Sequence, residues 1–266
     1  MSLMQDEPIV GVRPPAPPAR PRHAALQRAG REVLLVAVLF FAYKLGRVAA
    51  AGHVTEAFTN AHRVWNLERL LHLPSEYGLQ QVVIGQDGLV KAANCYYAYV
   101  HFPVTAACLV GLYLWRPAEY LRTRRTLAWL TACALVVHLL VPLAPPRMLA
   151  EAGLLDTGRL FGPAVYGSPS TDTLTNQYAA MPSLHVGWAV VVAMALVAAT
   201  RGRWRWLWLA HPVITLLVVV VTGNHYWLDA IVVGALLAAV LAVQAGTRPV
   251  PQPVAQPVVP RPRVGL

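Results

Sequence analysis

The sequence predicts an all-α integral membrane bundle of about six transmembrane helices, joined by an interfacial amphipathic helix. Composition is the first reason. Of 266 residues 56% are hydrophobic and only 13% charged, with a mean hydropathy of +0.48, whereas a soluble domain carries about a quarter charged residues. Segment length is the second, because six stretches approach the roughly 20 apolar residues that span a hydrocarbon core. The third is the placing of cations, which collect in every second loop. This composition excludes disorder and argues against an ordinary soluble enzyme, and the length suits one bundle with tails.

Residues 1–31 hold six prolines and five arginines, so they are expected as a disordered cytoplasmic tail that cannot bury enough apolar surface. The first span is expected at 32–52, where Lys44 and Arg47 stand near enough to its end to snorkel. Its VAAAG ending imitates a signal-peptidase site, but the polar leader and the two internal cations argue against cleavage. Residues 54–72 set Val54, Ala57, Phe58, Ala61, Val64, Trp65 and Leu71 at helical spacing. Glu56, Arg63, Glu68 and Arg69 share that stretch, so it reads as the interfacial helix rather than a span. Five further spans follow at roughly 93–115, 127–143, 183–200, 206–223 and 226–244, completing a membrane domain over 32–245. The remainder, 246–266, is a second disordered, Pro-rich cytoplasmic tail. No repeat of about 20 to 50 residues is present. Cys95, Cys108 and Cys133 lie in apolar stretches without disulfide or zinc spacing.

Cation counts orient the bundle. Segments 1–31, 116–126, 201–205 and 245–266 carry 15 Lys and Arg, against five in 53–92 and 144–182 together. The positive-inside rule makes the first set, with both termini, cytoplasmic. Trp204, Trp206 and Trp208 then fall at the inner interface, where an aromatic belt belongs. The net charge of +10 is thus a topology signal rather than a nucleic-acid surface, and no nucleic-acid partner is expected.

With that topology three polar segments meet the extracytoplasmic face. PPRML (145–149) leaves the third span, NQYAAMPSLH (176–185) enters the fourth, and NHYWLDA (224–230) enters the sixth. Ionisable groups at the mouths of spanning helices are costly and mark sites. His225 and Asp229 are i and i+4, so they share one helix face. A carboxylate accepting from one ring nitrogen fixes the tautomer and aims the other, which suits a nucleophilic His. The plainer reading of the pair is an interfacial His with an Asp that helps cap the helix. His185 follows Pro182 and Ser183 at a helix N-terminus, where free N–H groups and the dipole attract phosphate. It titrates near neutrality, so it can give and take a proton, or it is simply a surface His beside a cap. Arg147, after two prolines, is an always-charged fork suited to phosphate oxygens or to lipid headgroups. Of the other histidines, His138 lies deep in the third span without a partner by spacing, and His53, His62, His72 and His211 are scattered. No P-loop, G-x-G-x-x-G or H-E-x-x-H is present, and no metal or cofactor is expected.

PSLH, followed 40 residues later by HYWLD, each opening a spanning helix, resembles the second and third signature motifs of the type 2 phosphatidic acid phosphatase superfamily. The likeness covers roughly residues 90–245 and is nearest to the branch of inositol phosphorylceramide synthases and their bacterial relatives. It implies His225 as the nucleophile that becomes phosphorylated, Asp229 as its orienting carboxylate and His185 as the general acid. The pattern also departs from that family. The Lys seven residues before the first-motif Arg and the Pro after it are Leu140 and Met148, and the Ser-Arg of the third motif is Val218-Val219. Two phosphate-binding cations are missing, a simplification the synthase branch shares. Replacement ligands beside Arg147 and Ser183 are Tyr97 and His101, together with Asn94, Tyr178 or Asn224. Tyr97 and His101 fit better as polar groups satisfied inside the bundle than as groups that touch substrate.

The expected function is that of a bacterial, multi-pass cell-membrane phosphatase or phosphotransferase. It acts on a phosphorylated lipid through a phosphohistidine at the extracytoplasmic face, with membrane lipids around it. If water accepts the phosphoryl group the enzyme is a lipid phosphatase. If an alcohol such as inositol accepts, it builds a phospholipid or glycolipid headgroup. A transporter or scaffold is the non-enzymatic alternative, but this chain lacks internal repeats, and its charges cluster at one face.

Overall fold

The computed structural model describes residues 53–167 and 177–246, together with scattered residues from 27 to 41. The chain divides into two units, Met1–Ala42 and Tyr43–Leu266. The described residues of the first are helical, and the second holds the helical bundle and its site. Both expected tails lie almost wholly, and the first expected span for the most part, outside the described residues.

Among the described residues the fold is all-helical, with no strand. In chain order the helices are α1 (Val54–Leu70), α2 (Glu76–Ile84), α3 (Asp87–Tyr99), α4 (His101–Trp115), α5 (Pro117–Leu140), the short α6 (Thr157–Phe161), α7 (Leu184–Ala199), α8 (Ala210–Val221) and α9 (Trp227–Gly246). Among the described residues two stretches are long and apolar enough to cross a membrane, Arg203–Val221 and Trp227–Gly246, and α3 with α4 makes a third if that bent pair is one span. α7 is apolar but only 16 residues long.

Where helices were expected to be straight, prolines intervene. Residues 93–115 were expected as one span, yet α3 and α4 meet at 47°. Pro103 supplies the cause, since it offers no N–H to the carbonyl four residues back and its ring crowds Tyr99 there. The expected span 206–223 likewise opens as a 3₁₀ stretch, Arg203–Leu209, before α8 begins. Pro212, the third residue of α8, denies an N–H to Trp208. α5 starts well before the expected residue 127, with Pro117 preorganised at its first position.

α7 is the central helix and packs against α4, α5, α8 and α9. Leu127 and Leu130 of α5, Val186 and Val191 of α7, Val218, Val219 and Val220 of α8, and Val233 and Leu237 of α9 form the main core. Gly187 sets how closely these helices approach. A Cβ there would stand 2.5 Å from Val233 Cγ2 and 3.1 Å from Leu130 Cδ2, and the β-branched Val233 cannot swing aside. Gly187→Ala should therefore overpack the core by about 1–3 kcal/mol, read as a lower thermal midpoint in detergent. An unchanged midpoint would show that α7 and α9 can separate freely.

α1 forms where amphipathic spacing predicts a helix, but one of its charges is on the wrong side. Glu56 and Arg63 are exposed, whereas Glu68 has no exposed surface at all. It lies on the face that Ala57 and Ala61 bury against the rest of the bundle.

Candidate active site

The three polar segments singled out in the sequence are joined to one another by backbone hydrogen bonds. Leu143 N–H donates to the Tyr178 carbonyl at 2.7 Å and Ala180 N–H to the Leu143 carbonyl at 3.2 Å. Arg147 N–H donates to the Gly223 carbonyl at 3.0 Å, and Ser183 N–H to the Asp229 carbonyl at 3.2 Å. His138 of α5 lies with Nε2 3.2 Å from the Pro182 carbonyl, a tertiary contact that sequence spacing does not reveal. Gly223 has φ +67°, and a Cβ there would meet Arg147 Cβ at 3.0 Å. Only glycine combines that backbone with so close an approach.

His225 and Asp229 form the expected dyad. His225 Nδ1 is 3.0 Å from Asp229 Oδ2 and 2.8 Å from the Ala180 carbonyl. Two acceptors at one nitrogen require it to carry the proton, which places the lone pair on Nε2. Asp229 Oδ2 also accepts the Tyr226 N–H at 2.9 Å, capping α9 in the reciprocal manner of a carboxylate at the third helical position. Asp229 is fully buried, and the His225 side chain is 7% exposed. The capping and orienting roles thus reside in one carboxylate.

His185, the second residue of α7, lies with its ring centroid 5.9 Å from that of His225. It stacks on Tyr97 at 4.6 Å and sits 4.6 Å from His101. Tyr97 is shared with a cavity beside Arg147, because its hydroxyl is 2.9 Å from that of Tyr166 and both residues line that space. Asn94, Asn224, Asp156 and Arg159 complete the polar lining. The Arg147 side chain is only 3% exposed. It donates from Nη1 to Asn224 Oδ1, lies with Nε 3.4 Å from Asp156, and stands 5.0 Å over the Tyr166 ring. A guanidinium so held has a fixed orientation.

Not every expected ligand faces this space. Ser183 is fully buried, its hydroxyl accepts the Val186 N–H and its own N–H serves Asp229, so it fixes α7 to α9 instead of presenting a surface to phosphate. His101 is buried against His185 and Trp188 and lies outside the cavity lining. Tyr178 packs edge-on against Phe58 of α1. Asn94 does line the cavity, but its amide donates to the carbonyls of Thr157 and Gly162, which ties α3 to the α6 loop. The positions where the family pattern has a third-motif Ser-Arg, Val218 and Val219, are core residues.

Asp156, Arg159 and Tyr166 were missed by sequence reasoning because the loop after the third span offers no periodicity. Its one local signal was Asp156 ahead of Thr-Gly-Arg, a helix-cap pattern, and Asp156 does accept the Arg159 N–H at 3.1 Å.

An all-helical bundle with apolar helices long enough to cross a membrane, carrying an oriented His with a second His beside it and, in a cavity that neither His lines, an anchored Arg, has the makings of a phosphatase-type membrane enzyme. The chain belongs to the PAP2 superfamily, whose family model matches residues 62–243. No curated protein and no solved structure matches it.

Proposed function

We propose that this protein is a lipid-phosphate phosphatase or phosphotransferase that works through a phosphohistidine on His225, at the extracytoplasmic face of a six-span bundle with both termini inside. The observation that supports the mechanism is the pair of acceptors at His225 Nδ1, which places the lone pair on Nε2, the atom we assign to nucleophilic attack. Arg147 and Asn224 hold the non-bridging phosphate oxygens, and Tyr97 closes the space between them and His185. Nε2 bonds to phosphorus as the ester P–O bond breaks, and His185 gives its proton to the leaving oxygen. Water or an alcohol then returns a proton to His185 while its oxygen attacks phosphorus, and the P–N electron pair goes back to His225. Asp229 stabilises the imidazolium while the phosphoryl group is attached.

The alcohol acceptor, inositol or a sugar, is supported by the valines at 218 and 219, a simplification shared with the inositol phosphorylceramide synthase-like branch. The test is purified protein with radiolabelled lipid phosphates, with and without candidate alcohols. Free phosphate as the product identifies a phosphatase, and a labelled alcohol phosphate or headgroup identifies a transferase. Neither product from any lipid phosphate would overturn the assignment.

A further inference from the structure

Beside the dyad lies a second set of acids that this chemistry does not use. Glu68 of α1 and Glu76 of α2 are both fully buried. Glu68 Oε1 accepts the N–H of Leu228 at 2.8 Å, in the first turn of α9 and next to Asp229. Arg69 Nη2 is 2.6 Å from Glu76 Oε2 and 3.9 Å from Glu68 Oε2, so the two carboxyl groups converge on one nitrogen. Glu68 Oε2 and Glu76 Oε1 are left without hydrogen-bond partners if both groups are ionised. Two buried carboxyl groups thus face one guanidinium, whose side chain is 34% exposed, and the buried carboxyl of Asp229 lies near enough to repel both. Like charges in one buried site cannot all persist, and the cheapest remedy is to keep a proton. Among the described residues no three His, Cys, Asp or Glu side chains are grouped to hold a metal ion.

We propose that Glu68 and Glu76 share one proton in an O–H···O bond and serve as positioning residues, holding the first turn of α9 through Leu228 and with it His225 and Asp229. One carboxyl donates, the other accepts, and Arg69 balances the remaining negative charge. The groups facing the pair are Arg69 on α1, Asp229 in the first turn of α9 and Tyr226 just before that helix. Burial, followed by the hydrogen bond with Glu76, pushes the Glu68 carboxyl up to about 9, against a smaller pull from the Leu228 N–H. Its catalytic arm rests on the reading of His225, and its protonation arm does not.

A carboxyl whose folded value is raised stabilises the fold fully below its unfolded value of 4.5, and that stabilisation drains away as pH rises towards about 9. Glu68→Gln keeps an oxygen for Leu228 and a permanent N–H for Glu76, without the titration. The thermal midpoint of Glu68→Gln relative to wild type should therefore climb steadily from about pH 5 to pH 9 and then level off. Glu68→Ala orphans the Leu228 N–H and should lose about 10²-fold in kcat with KM little changed, the cost of a misplacement of about 1 Å. Glu68→Gln should recover most of that loss. A midpoint difference that stays constant with pH overturns the proposal, as does a Gln variant no better than Ala, or an Ala variant with wild-type kcat. If the Ala variant does not fold, the pH dependence of Glu68→Gln decides alone. The thermal measurement needs no turnover, so failure of the phosphohistidine reading would show separately, as phosphate still trapped in His225→Ala.

Discussion

His225→Ala is expected to lose turnover on the order of 10⁶-fold, the cost of deleting a nucleophile, and to form no covalent phosphoprotein. The expectation rests on the geometry of the dyad. His225 has its Nδ1 proton directed at two acceptors, Asp229 and the Ala180 carbonyl, and one of them is a buried carboxylate that stabilises the cation as the P–N bond forms. His185 stacks on Tyr97 and packs beside His101. The measurement is trapping of acid-labile, base-stable phosphoprotein from a radiolabelled lipid phosphate. Phosphate trapped in the alanine variant would remove His225 from the nucleophile's role.

His185→Ala should be crippled by roughly 10²–10⁴-fold, the usual cost of a lost general acid–base group, yet it should still become phosphorylated when the leaving group needs no proton. His185 stands in the first turn of α7, its ring centroid 5.9 Å from that of His225. Steady-state rates on a poor and on an activated leaving group separate the two half-reactions. A His185→Ala protein that never traps phosphate, even from the activated substrate, would reverse the two roles.

The dyad and Arg147 could be read in the sequence because each is a local pattern. The interval from His225 to Asp229 is a helix turn, and two prolines before Arg147 mark a rigid exit from a span. The apolar segments were legible for the same reason, since hydropathy is summed over neighbours. What could not be read depends on groups far apart in the chain. Pro103 bends the second apolar segment by crowding a carbonyl, an effect invisible to mean hydropathy. Ser183 looks like a phosphate ligand until Asp229 is found to take its N–H. Glu68 carries a charge that amphipathic spacing assigns to the polar face, and only a partner in α9 explains why it is buried. Asp156 and Tyr166 reach the cavity because Asn94 and Gln80 tie their loop to α3 and α2.

The contact between Glu68 and Leu228 also constrains when the enzyme can become active. It closes a separation of 160 residues and joins the first helix of the described bundle to its last. Contacts of such separation must bear the entropy of a long loop, and they form after local helices are in place. During synthesis, α1 must wait for nearly the whole bundle to be made before α9 can dock on it. Until then the His225–Asp229 turn lacks one of its anchors, and a half-built chain in the membrane has no finished site with which to attack the surrounding lipid.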